Sequence, residues 1–316
     1  ANIAFEMGMV FYNAFLPDIA PPDRIGRISG YGWGLGYLGG LLALACALVM
    51  FVQPEVPMFG FVKEAGENIR ASNLLVAAWF ALFSLPIFLL VKEDKSRVTK
   101  GGGILDASFK KLAGTFREIK RYRQIIRFLI ARLIFNDGLI TVFAFGGIYA
   151  AGTFGFDFEE LLIFGIAINV AAGSGAFLFG RIDDKLGGKR TRVVTVWGLM
   201  IAAILAAAAP NRTFFWIASM LAGIFAGPNQ SASRSLMGRF VPDEKENEFF
   251  GFFAFSGKAT AFLGPLLYGI MTEAFDSQRA GIATVVLFFV VGLALLTRVD
   301  EAEGIEAAGR GRPASA

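Results

Sequence analysis

The chain has 316 residues, 55% of them hydrophobic and 18% charged, with 30 Lys and Arg against 26 Asp and Glu and a net charge of +4. A water-soluble domain carries more charge and less apolar surface, and a mean hydropathy of +0.58 points to a bilayer as the solvent. Histidine is absent and Cys46 is the only cysteine, which excludes imidazole-based zinc sites, Ser-His-Asp triads, disulfide frameworks and thiolate metal sites.

Nine apolar spans follow in chain order: Asn2–Leu16, Ser29–Phe51, Ala71–Val91, Phe128–Thr153, Glu160–Gly180, Arg192–Ala209, Thr213–Ser235, Phe249–Thr272 and Gly281–Thr297. Runs of about 20 apolar residues match a hydrocarbon core of about 30 Å when helical. The first span is short and opens at Ala1 without an initiator Met, so the N-terminus is expected to be truncated inside a membrane helix. Basic residues cluster in alternate loops: Lys92–Arg127 holds eleven Lys and Arg against four acids, Arg181–Arg192 holds five, and Asp23–Arg27 holds two. Placing those loops in the cytoplasm gives one consistent zigzag. The same clustering argues against a nucleic-acid partner.

Between the third and fourth spans, Leu105, Phe109, Leu112, Phe116, Ile119, Tyr122 and Ile126 recur every three or four residues among lysines and arginines. This predicts a basic amphipathic helix lying on the membrane surface. The expected division is a partial N-terminal bundle over 1–91, a cytoplasmic central loop over 92–127, a six-helix bundle over 128–299 and a disordered cytoplasmic tail over 300–316.

Two nucleotide-like motifs lack their context. Gly34-x-Gly36-x-x-Gly39 lies inside an uncharged span with no preceding strand, and Gly257-Lys258 is followed by Ala259 where a phosphate loop needs Ser or Thr. No cofactor and no metal are expected. Gly26, Gly30 and Gly34 read instead as a small-residue stripe that lets another helix approach.

The loop Gly180-Arg-Ile-Asp-Asp184-Lys185-Leu-Gly187-Gly188-Lys189-Arg190 fits G-x-x-x-D-[RK]-x-G-x-[KR]-[KR]. It resembles the signature loop of the major facilitator superfamily in its second-half copy. Asp184 can face a helix N-terminus or an arginine across the bundle, closing the cytoplasmic side in one conformation. Further stretches resemble the vacuole-effluxer, autophagy-related branch of that superfamily. They are Asn13-Ala-Phe-Leu-Pro17-Asp18, Arg27-x-Ser29-Gly30-x-Gly32-Trp33-Gly34, Asn136-Asp137-Gly138, Gly227-Pro228-x-Gln230-Ser-x-Ser233-Arg234-Ser235 and Ser256-Gly257-Lys258-x-Thr260. The resemblance implies a twelve-span all-α carrier, of which this chain holds spans four to twelve, and amino-acid efflux as the substrate class.

Charged groups inside spans are functional candidates because the bilayer penalises them. Asp137, next to Asn136, is the candidate for proton coupling or solute binding, its alternative being an ion pair with Arg234 or Lys258. Lys258 and Arg234 suit a solute carboxylate, Glu6 is a second proton carrier, and Gln230 and Asn13 supply neutral hydrogen-bonding groups. Arg132 is expected to snorkel to the interface. The gating set is Gly180, Asp184, Lys185, Gly187, Lys189 and Arg190. The expected protein is a monomeric, non-enzymatic secondary transporter moving a small polar solute by alternating access with a coupling proton, in a bacterial inner membrane or, in a eukaryote, a vacuolar one. The competing reading is a non-transporting scaffold or lipid-binding receptor.

Overall fold

The computed structural model describes residues 2–63, 65–91, 114 and 119–310, and every regular element among them is helical. In chain order these are α1 (Asn2–Ala14), α2 (Leu16–Ile19), α3 (Ile25–Ala47), α4 (Glu67–Leu90), α5 (Arg123–Phe154), α6 (Phe158–Leu186), α7 (Gly188–Ala208), α8 (Arg212–Phe240), α9 (Glu246–Ser256), α10 (Leu263–Ala274), α11 (Gln278–Thr297) and α12 (Glu301–Ala307). Most of the proposed amphipathic helix, Leu105 to Phe116, lies outside the described residues. Its end is a 3-10 turn over Ile119–Tyr122 that runs into α5.

Among the described residues, six helices are long and apolar enough to cross a membrane: α3 with its π-helical extension to Val52, then α4, α5, α6, α7 and α11. The 29-residue α8 matches them in length, and its run from Asn229 to Ser235 makes it more polar. The expected span Phe249–Thr272 is not one helix. It stops at Ser256, passes through turns over residues 257–262, and restarts as α10. Pro265 suits the restart: it has no N–H for the Ala261 carbonyl, and in the first turn of α10 a proline need not supply one.

The chain divides into two compact units. One holds residues 1–34 with 101–316; the other holds 35–100. In the smaller unit, Asn68 Nδ2 donates to the Phe51 carbonyl at 3.0 Å, tying the start of α4 to the end of the preceding helix. Leu74, Phe80, Phe83 and Phe88 on α4 stay exposed, as side chains in contact with lipid do.

In the larger unit, helices α5 to α11 pack around Phe128, Phe135, Leu199, Leu236, Phe240, Phe250 and Phe289. The glycine stripe on α3 lies against α6. A Cβ on Gly26 would strike the Asp183 side chain, one on Gly30 would meet the Ala176 carbonyl, and one on Gly34 would enter the Phe177 ring. Backbones therefore touch there, as small-residue stripes permit.

The tail corrects the sequence reading. Residues 301–307, expected to be disordered, form α12. Asp300 caps it by accepting the Glu303 N–H, two acids occupy its first turn, and Gly304 lets its backbone sit against the Phe240 ring.

Candidate functional site

Asp137 sits in the middle of α5 and is 1% exposed. It pairs with neither Arg234 nor Lys258, which overturns the structural ion pair weighed from the sequence: among the described residues no cation lies in ion-pair range of it, and its Oδ2 is buried without a hydrogen-bond partner. Thr260, in the turn between α9 and α10, is the side chain that interacts with it, although the Thr260 hydroxyl is itself buried without a well-formed hydrogen bond.

The helix break is held from α5. A helix that stops inside a membrane leaves carbonyls without partners, and those must be satisfied within the protein. Asn136 Nδ2 donates to the Gly257 carbonyl at 2.6 Å. Arg132 Nη1 donates to the Phe253 carbonyl at 2.6 Å and to Ser256 Oγ at 2.9 Å, with its guanidinium 3.8 Å from the Phe253 ring centre. Arg132 thus does not snorkel to the interface. The carbonyls freed by the break capture it.

The two cations proposed as solute ligands have separate surroundings. Lys258 forms an ion pair with Glu6 of α1, so two of the sequence candidates neutralise one another. Arg234 is 5% exposed and meets neutral groups only. It donates to Ser29 Oγ at 3.0 Å, to the Ser29 carbonyl at 3.1 Å and to Asn13 Oδ1 at 3.4 Å, and lies 5.4 Å from the Tyr12 ring centre. Ser29 in turn donates to the Ser231 carbonyl at 2.8 Å. Asn13 and Arg234, 221 positions apart, therefore meet, with Tyr12 and Ser29 completing a cradle between α1, α3 and α8. Gln230 stands one turn before Arg234 on α8.

At the end carrying the basic loops, Asp184 accepts the Arg27 backbone N–H at 3.1 Å and lies 3.4 Å from Arg27 Nε, so α3 and α6 are tied there. Asp183, which the motif treats as filler, is the more buried acid at 2% exposure. It accepts the Ser235 hydroxyl at 2.5 Å and pairs with Arg239 at 3.3 Å. Glu301 accepts the Gly188 and Lys189 N–H groups at 2.8 and 3.0 Å, and lies 3.6 Å from Arg239. Gly180 touches the α3 backbone, Gly187 has a φ of 87° that suits glycine, and Lys185 and Arg190 project outward, exposed.

Sequence reasoning missed Asp183, Arg239, Glu301 and Arg192. Arg192 is fully buried, lies between the Phe128 and Phe135 rings at 4.8 and 4.5 Å, and donates to Ser233. The available signal was the polar run Ser231, Ser233, Ser235 on α8, of which Ser233 meets Arg192 of α7 and Ser235 meets Asp183 of α6. A cavity of about 320 Å³ lies farther along the same helices, lined by Leu139, Phe143, Gly165, Asn169, Ser219 and Gly223 among others, with no charged residue.

An all-helical bundle with a broken helix, intramembrane charges and a glycine-rich signature loop defines a transporter of the major facilitator type. The fold of the Escherichia coli fucose:proton symporter FucP superposes with a TM-score of 0.68 at 15% identity, covering 92% of this chain and 73% of that one. A bacterial homologue of the iron transporter ferroportin superposes with a TM-score of 0.59 at 14% identity. Residues 1–309 match the vacuole effluxer Atg22-like family, and the chain belongs to that family. The MFS-type transporter YxiO of Bacillus subtilis is 29% identical over 299 residues, 95% of this chain and 69% of that protein. Autophagy-related protein 22 of Yarrowia lipolytica is 23% identical over 313 residues. The chain spans about half the length of that protein and of its Cryptococcus neoformans counterpart. The Bacillus relative is named as a transporter and the family as effluxers, and the chain, with its long apolar helices, is an integral membrane protein.

Proposed function

We propose that the protein is a proton-coupled carrier that moves a small zwitterionic solute, of the amino-acid class, by alternating access. One observation carries this reading. Two opposite charges, Asp137 and Arg234, are buried within membrane helices and, among the described residues, neither has a counter-ion. Uncompensated burial of an ionised group costs several kcal/mol, so such groups persist where a mobile partner completes them. A proton completes Asp137. A solute carboxylate completes Arg234, exchanging the neutral oxygens of Ser29 and Asn13 for a charge-assisted pair.

The gating role goes to the Arg27–Asp184 contact, which ties α3 to α6 at the cytoplasmic end and must release for inward opening. The direction is efflux, the unit a monomer, and the membrane the bacterial inner membrane, or the vacuolar membrane in a eukaryote. The family description as a vacuole effluxer supports the direction.

The test is reconstitution in proteoliposomes with an imposed pH gradient and a panel of radiolabelled amino acids. Wild type accumulates at least one of them. Asp137→Asn abolishes the gradient-driven part while exchange without a gradient survives, and Arg234→Gln abolishes both. Gradient-driven uptake by Asp137→Asn at the wild-type rate would remove the proton from this carboxylate.

A further inference from the structure

Three hydroxyls are buried without a well-formed hydrogen bond among the described residues: Thr260 Oγ1, Tyr268 OH and Thr272 Oγ1. All belong to α10 and the turn leading into it. With Gly264 they fall at intervals of four residues, which puts Gly264, Tyr268 and Thr272 on one face of α10. That face meets α5 and α11. A Cβ on Gly264 would collide with Thr141 Oγ1 and the Asp137 carbonyl, the Tyr268 ring stacks on Phe145 with centroids 4.2 Å apart, and a Cβ on Gly281 would strike Thr272 Oγ1 and the Tyr268 ring. Thr272 also interacts with Tyr268, as Thr260 does with Asp137. The row therefore starts at the Asp137 carboxylate and climbs α10 for about 12 Å at about 1.5 Å per residue. It ends where the chain turns over residues 275–278, beside the bond from Thr153 Oγ1 to Gln278 Oε1 at 2.9 Å.

Buried hydroxyls are nearly always hydrogen-bonded, to protein or to ordered water. Three exceptions on one seam, terminating at a carboxylate whose Oδ2 also lacks a well-formed hydrogen bond, form a continuous polar line through an apolar bundle. We infer that Thr260, Tyr268 and Thr272 carry a single file of water through which Asp137 exchanges its proton with the non-cytoplasmic side. This rests on the coupling role proposed for Asp137. Each hydroxyl accepts a hydrogen bond from one side and donates on the other, so a proton entering at Thr272 is matched by one delivered to Asp137 Oδ2, and only the carboxyl changes state.

The charged groups near this carboxylate leave the line open. Arg132 on α5 is engaged by the α9 carbonyls, Lys258 by Glu6 of α1, and Arg192 of α7 lies across the Phe135 ring. From α11, Phe288 and Phe289 press on the adjacent Gly138.

The test is infrared difference spectroscopy on right-side-out proteoliposomes after a pH drop in the outer medium. The Asp137 carboxylic-acid band is identified by its loss in Asp137→Asn. Tyr268→Phe and Thr272→Val should slow its appearance by about tenfold or more at unchanged final amplitude. Thr284→Val, whose hydroxyl is satisfied by the Gly281 carbonyl at 2.6 Å, should leave the rate as in wild type. Both phenylalanine and valine remove an unsatisfied group, so the fold is retained. A normally titrating band with unchanged rates in Tyr268→Phe and Thr272→Val overturns the water file and leaves Asp137 in place. A wild-type protein with no such band at any pH where it stays folded overturns the coupling role and the file together.

Discussion

Asp183 and Asp137 are both nearly inaccessible carboxylates, 2% and 1% exposed, and the protein treats them in opposite ways. Asp183 is answered by the Ser235 hydroxyl and the Arg239 guanidinium, and Arg239 is shared with Glu301, which itself caps α7. Asp137 has Thr260 beside it and no cation. The first is a closed network in which every charge is compensated from within the chain. The second is a carboxyl with no cation in range among the described residues, beside the break between α9 and α10. Compensation marks structure; its absence at such cost is what the coupling role proposed for Asp137 accounts for.

The largest effect should come from breaking the closed network. Asp183→Ala strips a buried partner from Arg239, whose side chain is only 11% exposed, and should destabilise the protein by about 3–5 kcal/mol. Asp137→Asn should cost less than about 1 kcal/mol, or stabilise, because a neutral amide no longer asks for a counter-charge. Thermal unfolding in one detergent measures both. Equal losses for the two variants would erase the distinction between them.

Much of this was legible before the structure. The span pattern, the glycine stripe and the signature loop rest on local composition and spacing, which a sequence displays. The candidates Asp137, Arg234, Asn13, Lys258 and Glu6 stood out because charge and amide groups in apolar runs are conspicuous. Their pairing did not. Lys258 and Glu6 are 252 positions apart, and Asn13 and Arg234 are 221, so partners are set by helix packing that no local rule contains. The broken helix was readable from Gly264-Pro265 and was passed over because hydropathy runs straight through it. Helix α12 was passed over for the converse reason: its polar composition reads as disorder, while its order comes from Glu301, Glu303 and Gly304 docking on the bundle.

The tail gives a prediction of intermediate size. Glu301 places a carboxylate on two N–H groups at the start of α7, a position worth about 0.3–1 kcal/mol through the helix dipole and more when partly buried. Glu301→Gln should therefore lower stability by about 1–2 kcal/mol and speed hydrogen exchange in the first turn of α7. Unchanged exchange there would mean that α12 merely rests on the bundle.

The smallest effect should belong to the residue that the signature motif puts first. Asp184 ties α6 to α3 through Arg27, but the Arg27 side chain is 40% exposed, and such pairs contribute about 1 kcal/mol or less. Beside that contact run Gly26, Gly30 and Gly34, whose close packing on α6 must also separate if the cytoplasmic side opens. Asp184→Ala should therefore shift the balance toward the inward-open state by no more than about fivefold, the equivalent of about 1 kcal/mol. Single cysteines placed at the two ends of the bundle, in a Cys46→Ala background, read this shift as opposite changes in labelling rate. Replacing Gly30 by leucine should push it much further, because the side chain must displace the Ala176 carbonyl and the Gly180 backbone rather than a flexible arginine. If Asp184→Ala alone opened the protein as far as Gly30→Leu does, the ion pair would be the latch. The expected ordering, with glycine packing first, makes the helix contact the latch and the ion pair its trim.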